Sequence, residues 1–328
     1  MRQLCQYPFV QGGPSRRGRR APLLNRKKVL YNPDVSPYAC RRSRVFVSIF
    51  LFLGIGICLG PQGRGQEAPP ASSARILLLP RKLVIGERAT LAVLDVNGRL
   101  TPGVSVEFSY GEKVKTDPTG RARFVAPLNP GTISAWIAGR RGRVSATIVT
   151  PAEIPSSTLE VTAGPRVATI SDRFELLGHG FCGEADSNHV AIGGLSGLVL
   201  ASSPGSLVVL PPTELGARPV SVRVGCGQKV SEAFTIVFVN LELVANNETM
   251  APGERRTLTV RVKGSTARIA IEARNLGADV AELVGGGIVR ATSSGRTDNL
   301  ATFELVGRAR GNFTISIRLV APLGAPRL

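Results

Sequence analysis

Two histidines, His179 and His189, are the only imidazoles in 328 residues, and Cys182 and Cys226 are the thiols nearest to them in a common segment. Those four could in principle supply the nitrogen and sulfur ligands of a tetrahedral zinc ion. Their spacing, His-x2-Cys and then six residues to the second histidine, matches no structural zinc pattern, so a metal centre is not expected. Nucleophilic catalysis needs a base beside serine or cysteine, and neither histidine lies near a Gly-x-Ser-x-Gly strand-turn-helix signature. Asp172, Glu184 and Asp186 are too few oxygen ligands for calcium. Gly285-Gly286-Gly287 lacks the Lys-Ser/Thr and the helix of a phosphate loop and reads as a turn between strands. The expectation is a protein without catalytic residues, metal or cofactor.

The elements that would carry these side chains are short strands. The chain holds 37 Gly and 23 Pro but 2 Met and 1 Trp, and its Val, Thr, Leu and Arg recur in short runs cut by Gly, Pro, Asn and Asp. Strands joined by tight turns produce that mixture. A weak helical spacing over 267–276 is outweighed by β-branched residues. An all-β fold is expected.

The net charge of +18 raises the question of nucleic acid. Residues 1–44 carry eleven Lys and Arg against Asp34 alone, a net of +10, which leaves +8 for the remaining 284 residues. Most of the basic signal thus belongs to a leader, expected to lack regular structure. After Arg41-Arg42-Ser43-Arg44, residues 45–60 run 16 positions without a charge, the pattern of an export signal. As a helix this segment would rise about 24 Å, short of the ~30 Å hydrocarbon core, which favours cleavage over a retained transmembrane anchor. Either fate exports the chain beyond residue 60, to the periplasm, the cell surface or the medium. Residues 1–38 also fit a start codon placed upstream of the true one. Cys58 allows a third fate, lipidation, although Ile57 before it is bulkier than such processing favours. Residues 61–73 form a Pro- and Gly-rich linker.

Beyond the linker lie three segments of strand-like sequence, over 74–151, 152–239 and 240–328. In the first, Asp95-Val-Asn97-Gly98, Thr116-Asp117-Pro-Thr-Gly120 and Pro130-Gly131-Thr132 sit between alternating apolar runs. This arrangement resembles the bacterial Ig-like domains of invasin and intimin type. In the second, Phe174-Glu-Leu-Leu-Gly178-His-Gly180-Phe181, Asn188-His-Val190-Ala-Ile-Gly193-Gly194, Pro211-Pro212 and Gly216-Ala-Arg-Pro-Val220 resemble the IPT/TIG family. That resemblance implies an immunoglobulin-like sandwich. A Gly-x-Gly-Phe step lets a strand end in a tight bend while its aromatic plugs the sandwich, and Gly193-Gly194 closes a hairpin. The third segment carries Ig-like connections at Ala251-Pro-Gly-Glu254 and Arg310-Gly311-Asn312 and ends in a loose tail; no narrower family is readable in it.

Cys5, Cys40 and Cys58 lie in the leader, so Cys182 and Cys226 are the cysteines of the exported portion. An intradomain disulfide in an oxidising compartment is expected of them, two buried thiols being the alternative. The functional expectation is a non-catalytic envelope or surface protein that binds an unknown protein or glycan or acts as a spacer, touching the membrane through residues 45–60. Two alternatives remain. One is a nucleic-acid-binding protein with a TIG-type fold, and the other is an accessory glycan-binding module, for which Trp136 is the lone tryptophan.

Overall fold

The computed structural model describes residues 4–7, 74–151, 158–244 and 250–320. Cys58, the apolar segment 45–60 and the linker 61–73 fall outside them. Among the described residues no helix is long and apolar enough to cross a membrane. Nearly all the regular structure among the described residues is strand, as the composition implies. In the leader, Leu4–Tyr7 forms a strand, β1, although an unstructured leader is expected there.

The first sandwich contains β2 (Ala74–Leu78), β3 (Lys82–Val84), β4 (Arg88–Asp95), β5 (Ser105–Phe108), β6 (Lys113–Lys115), β7 (Arg121–Val125), β8 (Gly131–Ile137) and β9 (Arg143–Val149). One sheet runs β2-β4-β7 and the other β3-β9-β8-β5-β6. Leu83, Leu91, Val106, Phe108, Phe124 and Ala135 meet between them. Alternation selects the inward face: on β8, Ile133, Ala135 and Ile137 are buried while Ser134 and Trp136 between them are not. The turns obey their own chemistry. Asp95 Oδ1 accepts the N–H groups of Asn97 and Arg99 at 2.8 and 2.9 Å, and Gly98 takes the left-handed φ of 78° that the turn requires.

The second sandwich contains β10 (Glu160–Ala163), β11 (Val167–Thr169), β12 (Phe174–His179), a 3-10 turn at Ala185–Ser187, β13 (Asn188–Ile192), β14 (Leu195–Ser203), β15 (Ser206–Leu210), β16 (Pro219–Cys226), β17 (Lys229–Val230) and β18 (Phe234–Leu243). Strand β14 belongs to both sheets. Its first residues pair with β13 across the Gly193-Gly194 hairpin, and from Leu198 onward it pairs with β15, with an irregularity between Val199 and Ala201. Leu176, Ile192, Leu207, Val222, Ile236 and Phe238 fill the core, and Phe181 closes one end of it. At the Gly-x-Gly-Phe bend, a Cβ on Gly178 would stand 2.0 Å from the Glu160 carbonyl oxygen, so no side chain fits there.

The third sandwich adds β19 (Arg255–Lys263), β20 (Ala270–Asn275), β21 (Ala281–Leu283), β22 (Ile288–Thr292), β23 (Leu300–Gly307) and β24 (Phe313–Leu319) around Leu258, Val260, Ile271, Leu283, Phe303 and Ile315. Its sheets run β18-β19-β23-β21 and β24-β20-β22. Glu272 on β20 is buried between Arg290 of β22, at 3.1 Å, and Arg318 of β24, whose Nε donates at 2.8 Å. Burial alone would raise the Glu272 pKa, but the two guanidinium groups hold it below the ordinary carboxylate value. The boundary drawn at residue 239/240 falls inside a single strand. Residues 234–237 of β18 pair with β16 and residues 240–243 pair with β19. No flexible connection separates these two sandwiches.

Candidate functional site

The residues singled out for chemistry separate into a covalent pair and scattered singles. Cys182 and Cys226 are joined as a disulfide with Cα atoms 5.6 Å apart, spanning 44 positions of sequence. Cys182 lies just past the Phe181 plug, and Cys226 ends β16. Buried Asn188 holds the loop between them. Its side-chain amide donates to the carbonyls of Cys182 and Glu184 at 2.8 and 2.9 Å, while its Oδ1 accepts the Cys182 N–H at 2.9 Å. Asn188 is also the register partner of Cys226 across β13 and β16. Asn188 opens one of the motifs that resemble the IPT/TIG family, but nothing in the sequence beyond an Asn six positions after a cysteine points to this role.

The histidines do not join the pair. His179 sets its Nε2 3.2 Å from a Glu160 carboxylate oxygen on neighbouring β10, and His189 lies on the exposed face of β13. Among the described residues no group of three or more His, Cys, Asp or Glu side chains is placed to hold a metal ion. Asp172, Glu184 and Asp186 are not gathered either, for each faces an arginine.

The loop fixed by Asn188 and the disulfide does something local chemistry does not foretell: it docks on the first sandwich. The Gly183 carbonyl accepts hydrogen bonds from Thr90 Oγ1 at 3.0 Å and Ser202 Oγ at 2.7 Å. The Ala185 N–H donates to Thr90 Oγ1 at 3.3 Å. Thr90 of β4 and Ser202 of β14 are register partners, so the β2-β4-β7 sheet continues into the second sandwich. Around this seam Leu78, Ala92, Leu94, Leu200, Ala201 and Val208 form a separate apolar cluster. Ser203 Oγ donates to the Lys82 carbonyl, and the Lys82 N–H donates to Ser206 Oγ at 3.3 Å. Thr90, Ser202, Ser203 and Ser206 are all buried. Buried hydroxyls with partners specify one docking geometry, since any other would leave them unsatisfied.

Charge is sorted across the seam. Arg81, Arg88, Arg121 and Arg123 of the first sandwich face Glu175, Glu184 and Asp186 of the second, at 2.8 Å for Arg81–Glu175, 3.0 Å for Arg121–Asp186 and 3.6 Å for both contacts to Glu184. The solvent-facing pairs contribute little energy each. Arg121 differs, because its side chain is only 8% exposed and its Nη2 donates to the Val199 carbonyl at 2.7 Å. Removing it would leave that carbonyl without its partner. The available signal was the lack of polar alternation along Ala-Thr-Leu-Ala-Val-Leu at 89–94 and Val-Leu-Ala at 199–201, since a strand buried on both faces loses its alternation; the buried runs are 89–95 and 199–203.

Burial lifts the Glu175 carboxyl above its ordinary pKa, with Arg81 pulling the other way. The folded state therefore prefers the protonated acid. That contribution is present below the ordinary value of about 4.5 and is lost as pH rises through the raised folded pKa. Glu175→Gln is expected to remove this loss, making the variant more stable than wild type at pH 7 and equal to it in acid. Chemical denaturation across that pH range checks the difference, and a variant less stable at pH 7 would show the Arg81 contact to dominate.

Comparison with known proteins leaves the chain without a family. No protein-family profile matches it, and no curated protein matches it. Among solved structures, similarity is found to the Bacteroides ovatus mixed-linkage glucan utilization locus SGBP-B in complex with a mixed-linkage heptasaccharide, at 12% identity over 73% of each chain with a TM-score of 0.26. The full extracellular region of plexin A4 matches at 8% identity over 79% of this chain and 33% of the plexin, TM-score 0.29. The surface layer protein SbsC, domains 1–6, matches at 14% identity over 78% and 39%, TM-score 0.18. At TM-scores this low the superpositions carry no argument about function.

Proposed function

We propose that the chain is a non-catalytic, exported bacterial envelope protein whose immunoglobulin-like sandwiches form a stiff row serving as a spacer or as a scaffold for binding a protein or glycan. Within this reading, residues 74–151 are an invasin/intimin-type domain, residues 152–239 an IPT/TIG domain, and residues 45–60 the export signal or anchor. The observation that carries it is the seam between the first two sandwiches. A buried apolar cluster, paired hydroxyls and one-sided charge sorting are what a fixed joint requires, whereas domains that move independently meet through smaller, more polar contacts. The unbroken β18 supports the same stiffness farther along.

The Cys182–Cys226 bond supports an oxidising compartment. Cell fractionation with mass determination of the mature protein tests export. An envelope location, a mass lacking residues before the linker and a loss of two hydrogens agree with the reading, and an intact reduced chain in the cytosol contradicts it.

The nucleic-acid alternative needs free basic charge on a folded face. Arg81, Arg88, Arg121 and Arg123 are instead matched by carboxylates within the seam. Binding to duplex DNA is accordingly expected to be undetectable at physiological salt. A binding constant falling with a log–log salt slope of several units would reverse this, since that slope counts released phosphate counterions. The glycan alternative needs an open aromatic platform. Trp136 is the only indole in the sequence. The Arg143 guanidinium lies 4.6 Å from its ring centroid, and its Nε1 donates to Glu107 at 2.9 Å.

A further inference from the structure

Glu272 stands on the outside of its sheet and is nevertheless buried. Its neighbours along β20, Ile271 and Ala273, belong to the third core, so alternation sends Glu272 to the opposite face. There it is flanked by its register partners Arg290 of β22 and Arg318 of β24, both of them exposed. Each guanidinium commits its Nε to the carboxylate, Arg290 to Oε2 at 3.1 Å and Arg318 to Oε1 at 2.8 Å, and Arg318 adds one Nη. Among the described residues the remaining Nη groups make no hydrogen bond. A carboxylate so placed orders two arginine side chains and leaves their other donors exposed, which reduces the entropy lost when an anion binds.

The register adds a third cation to this face. Arg274 lies two positions along β20 from Glu272, is exposed, and has no ion pair among the described residues. Arg274, Arg290 and Arg318 against Glu272 leave a net charge of +2. Along the other sheet of the same sandwich Arg256, Lys263 and Arg308 each meet a carboxylate. Beside the three arginines stand two aliphatic side chains in water. Ile288, the register partner of Arg274 on β22, is 50% exposed, and Leu276, whose N–H continues the ladder to Thr314, is 54% exposed. No aromatic residue occupies an outward position of β20, β22 or β24.

We propose that this sheet face docks on an anionic lipid surface, with the three guanidinium groups on headgroup phosphates and Leu276 and Ile288 at the boundary with the acyl chains. Charge complementarity requires an anion, and the aliphatic pair selects among anions. A sugar ring is held by stacking on an aromatic, which this face lacks. Against a phosphate backbone in water the two aliphatic groups gain nothing, whereas among lipid headgroups they leave water. Each arginine near such a surface strengthens partitioning by about fivefold, an effect that salt screens. The contact goes beyond the spacer reading and depends on neither fate of residues 45–60.

Arginine modification by phenylglyoxal, read residue by residue with mass spectrometry of the full chain, tests the face locally and so separates it from any vesicle binding by the basic leader. On vesicles of equal parts phosphatidylglycerol and phosphatidylcholine, Arg274, Arg290 and Arg318 are expected to react about fivefold more slowly than in the free protein. Arg223, exposed on β16 of the second sandwich, is expected to react at an unchanged rate. The protection should vanish on phosphatidylcholine alone and in ~1 M salt, where the screening length falls to about 3 Å. Arg274→Gln combined with Leu276→Gln, both at exposed positions, is expected to keep the wild-type melting temperature and to leave Arg290 and Arg318 unprotected. Unchanged rates at all three arginines on anionic vesicles that carry the chain would overturn the proposal, as would full protection in the double variant. Equal protection by inorganic phosphate, or by polygalacturonate, at matched charge would also overturn it, assigning the face to a free anion or to an acidic glycan.

Discussion

Replacing Cys182 and Cys226 together by alanine is expected to lower the unfolding free energy by about 2–4 kcal/mol, the range for closing a loop of roughly this length. The effect is predicted to exceed that of a distant surface substitution because the bond does two jobs. It constrains the unfolded chain across 44 positions, and it ties the Phe181–Ser187 loop to the end of β16. That loop carries the Gly183 carbonyl that both Thr90 and Ser202 address. The double variant should therefore lose stability in the seam as well as in the second core. Equilibrium denaturation of the oxidised, reduced and double-alanine proteins checks this, with the last two expected to agree. Equal stability of all three would show that the bond is incidental to the fold.

The Gly183→Ala variant is expected to destabilise by about 3 kcal/mol, at the upper end of what overfilling a packed site costs. Its new Cβ would stand 2.0 Å from the Arg88 carbonyl oxygen and 2.7 Å from the carbon of the same group. Both obstructing atoms are backbone, so no side-chain rotation relieves the clash. The two sandwiches must separate, or the loop must leave the seam. Either way Thr90 loses the Gly183 carbonyl, and where the loop alone leaves a closed seam Thr90 and Ser202 both stay buried without their acceptor, which adds a desolvation penalty. Calorimetry is expected to show the single wild-type transition of the first two sandwiches broaden or divide. A variant within experimental error of wild type would mean that the loop does not rest on Arg88. Gly194→Ala is a useful companion, because a Cβ there meets nothing within 4 Å although its φ of 86° is strained. It should be destabilising without altering the coupling between sandwiches.

The difference between what could and could not be read in advance is one of range along the chain. Runs such as Val220, Val222 and Val224, or Leu258, Val260 and Val262, alternate with polar residues and state both strand and inward face. Asp95-Val-Asn97-Gly98 and Gly193-Gly194 state their turns through conformations few other residues adopt. The seam is different. Thr90 pairs with Gly183 and Ser202, 93 and 112 positions away, and nothing local to Thr90 distinguishes it from a solvated strand residue. Arg81, Arg88, Arg121 and Arg123 read as part of a diffuse positive balance until the acids opposite them are known. The division at residue 239/240 tracks a change in sequence character and could not anticipate that β18 serves two sheets. Likewise, the chemistry of His179 and Cys182 is legible by type, while the use of Asn188 to hold the loop depends on its position opposite Cys226.

Native-state hydrogen exchange of residues 88–92 and 200–203 tests the fused seam most directly, because local opening and global unfolding give different protection. If the first two sandwiches form one cooperative body, these amides should exchange as slowly as those of the buried Val222 and Val224 of β16, and with the same denaturant dependence. Rapid, denaturant-independent exchange at residues 88–92 and 200–203, with β16 still protected, would show two sandwiches that merely touch and would contradict the stiff row.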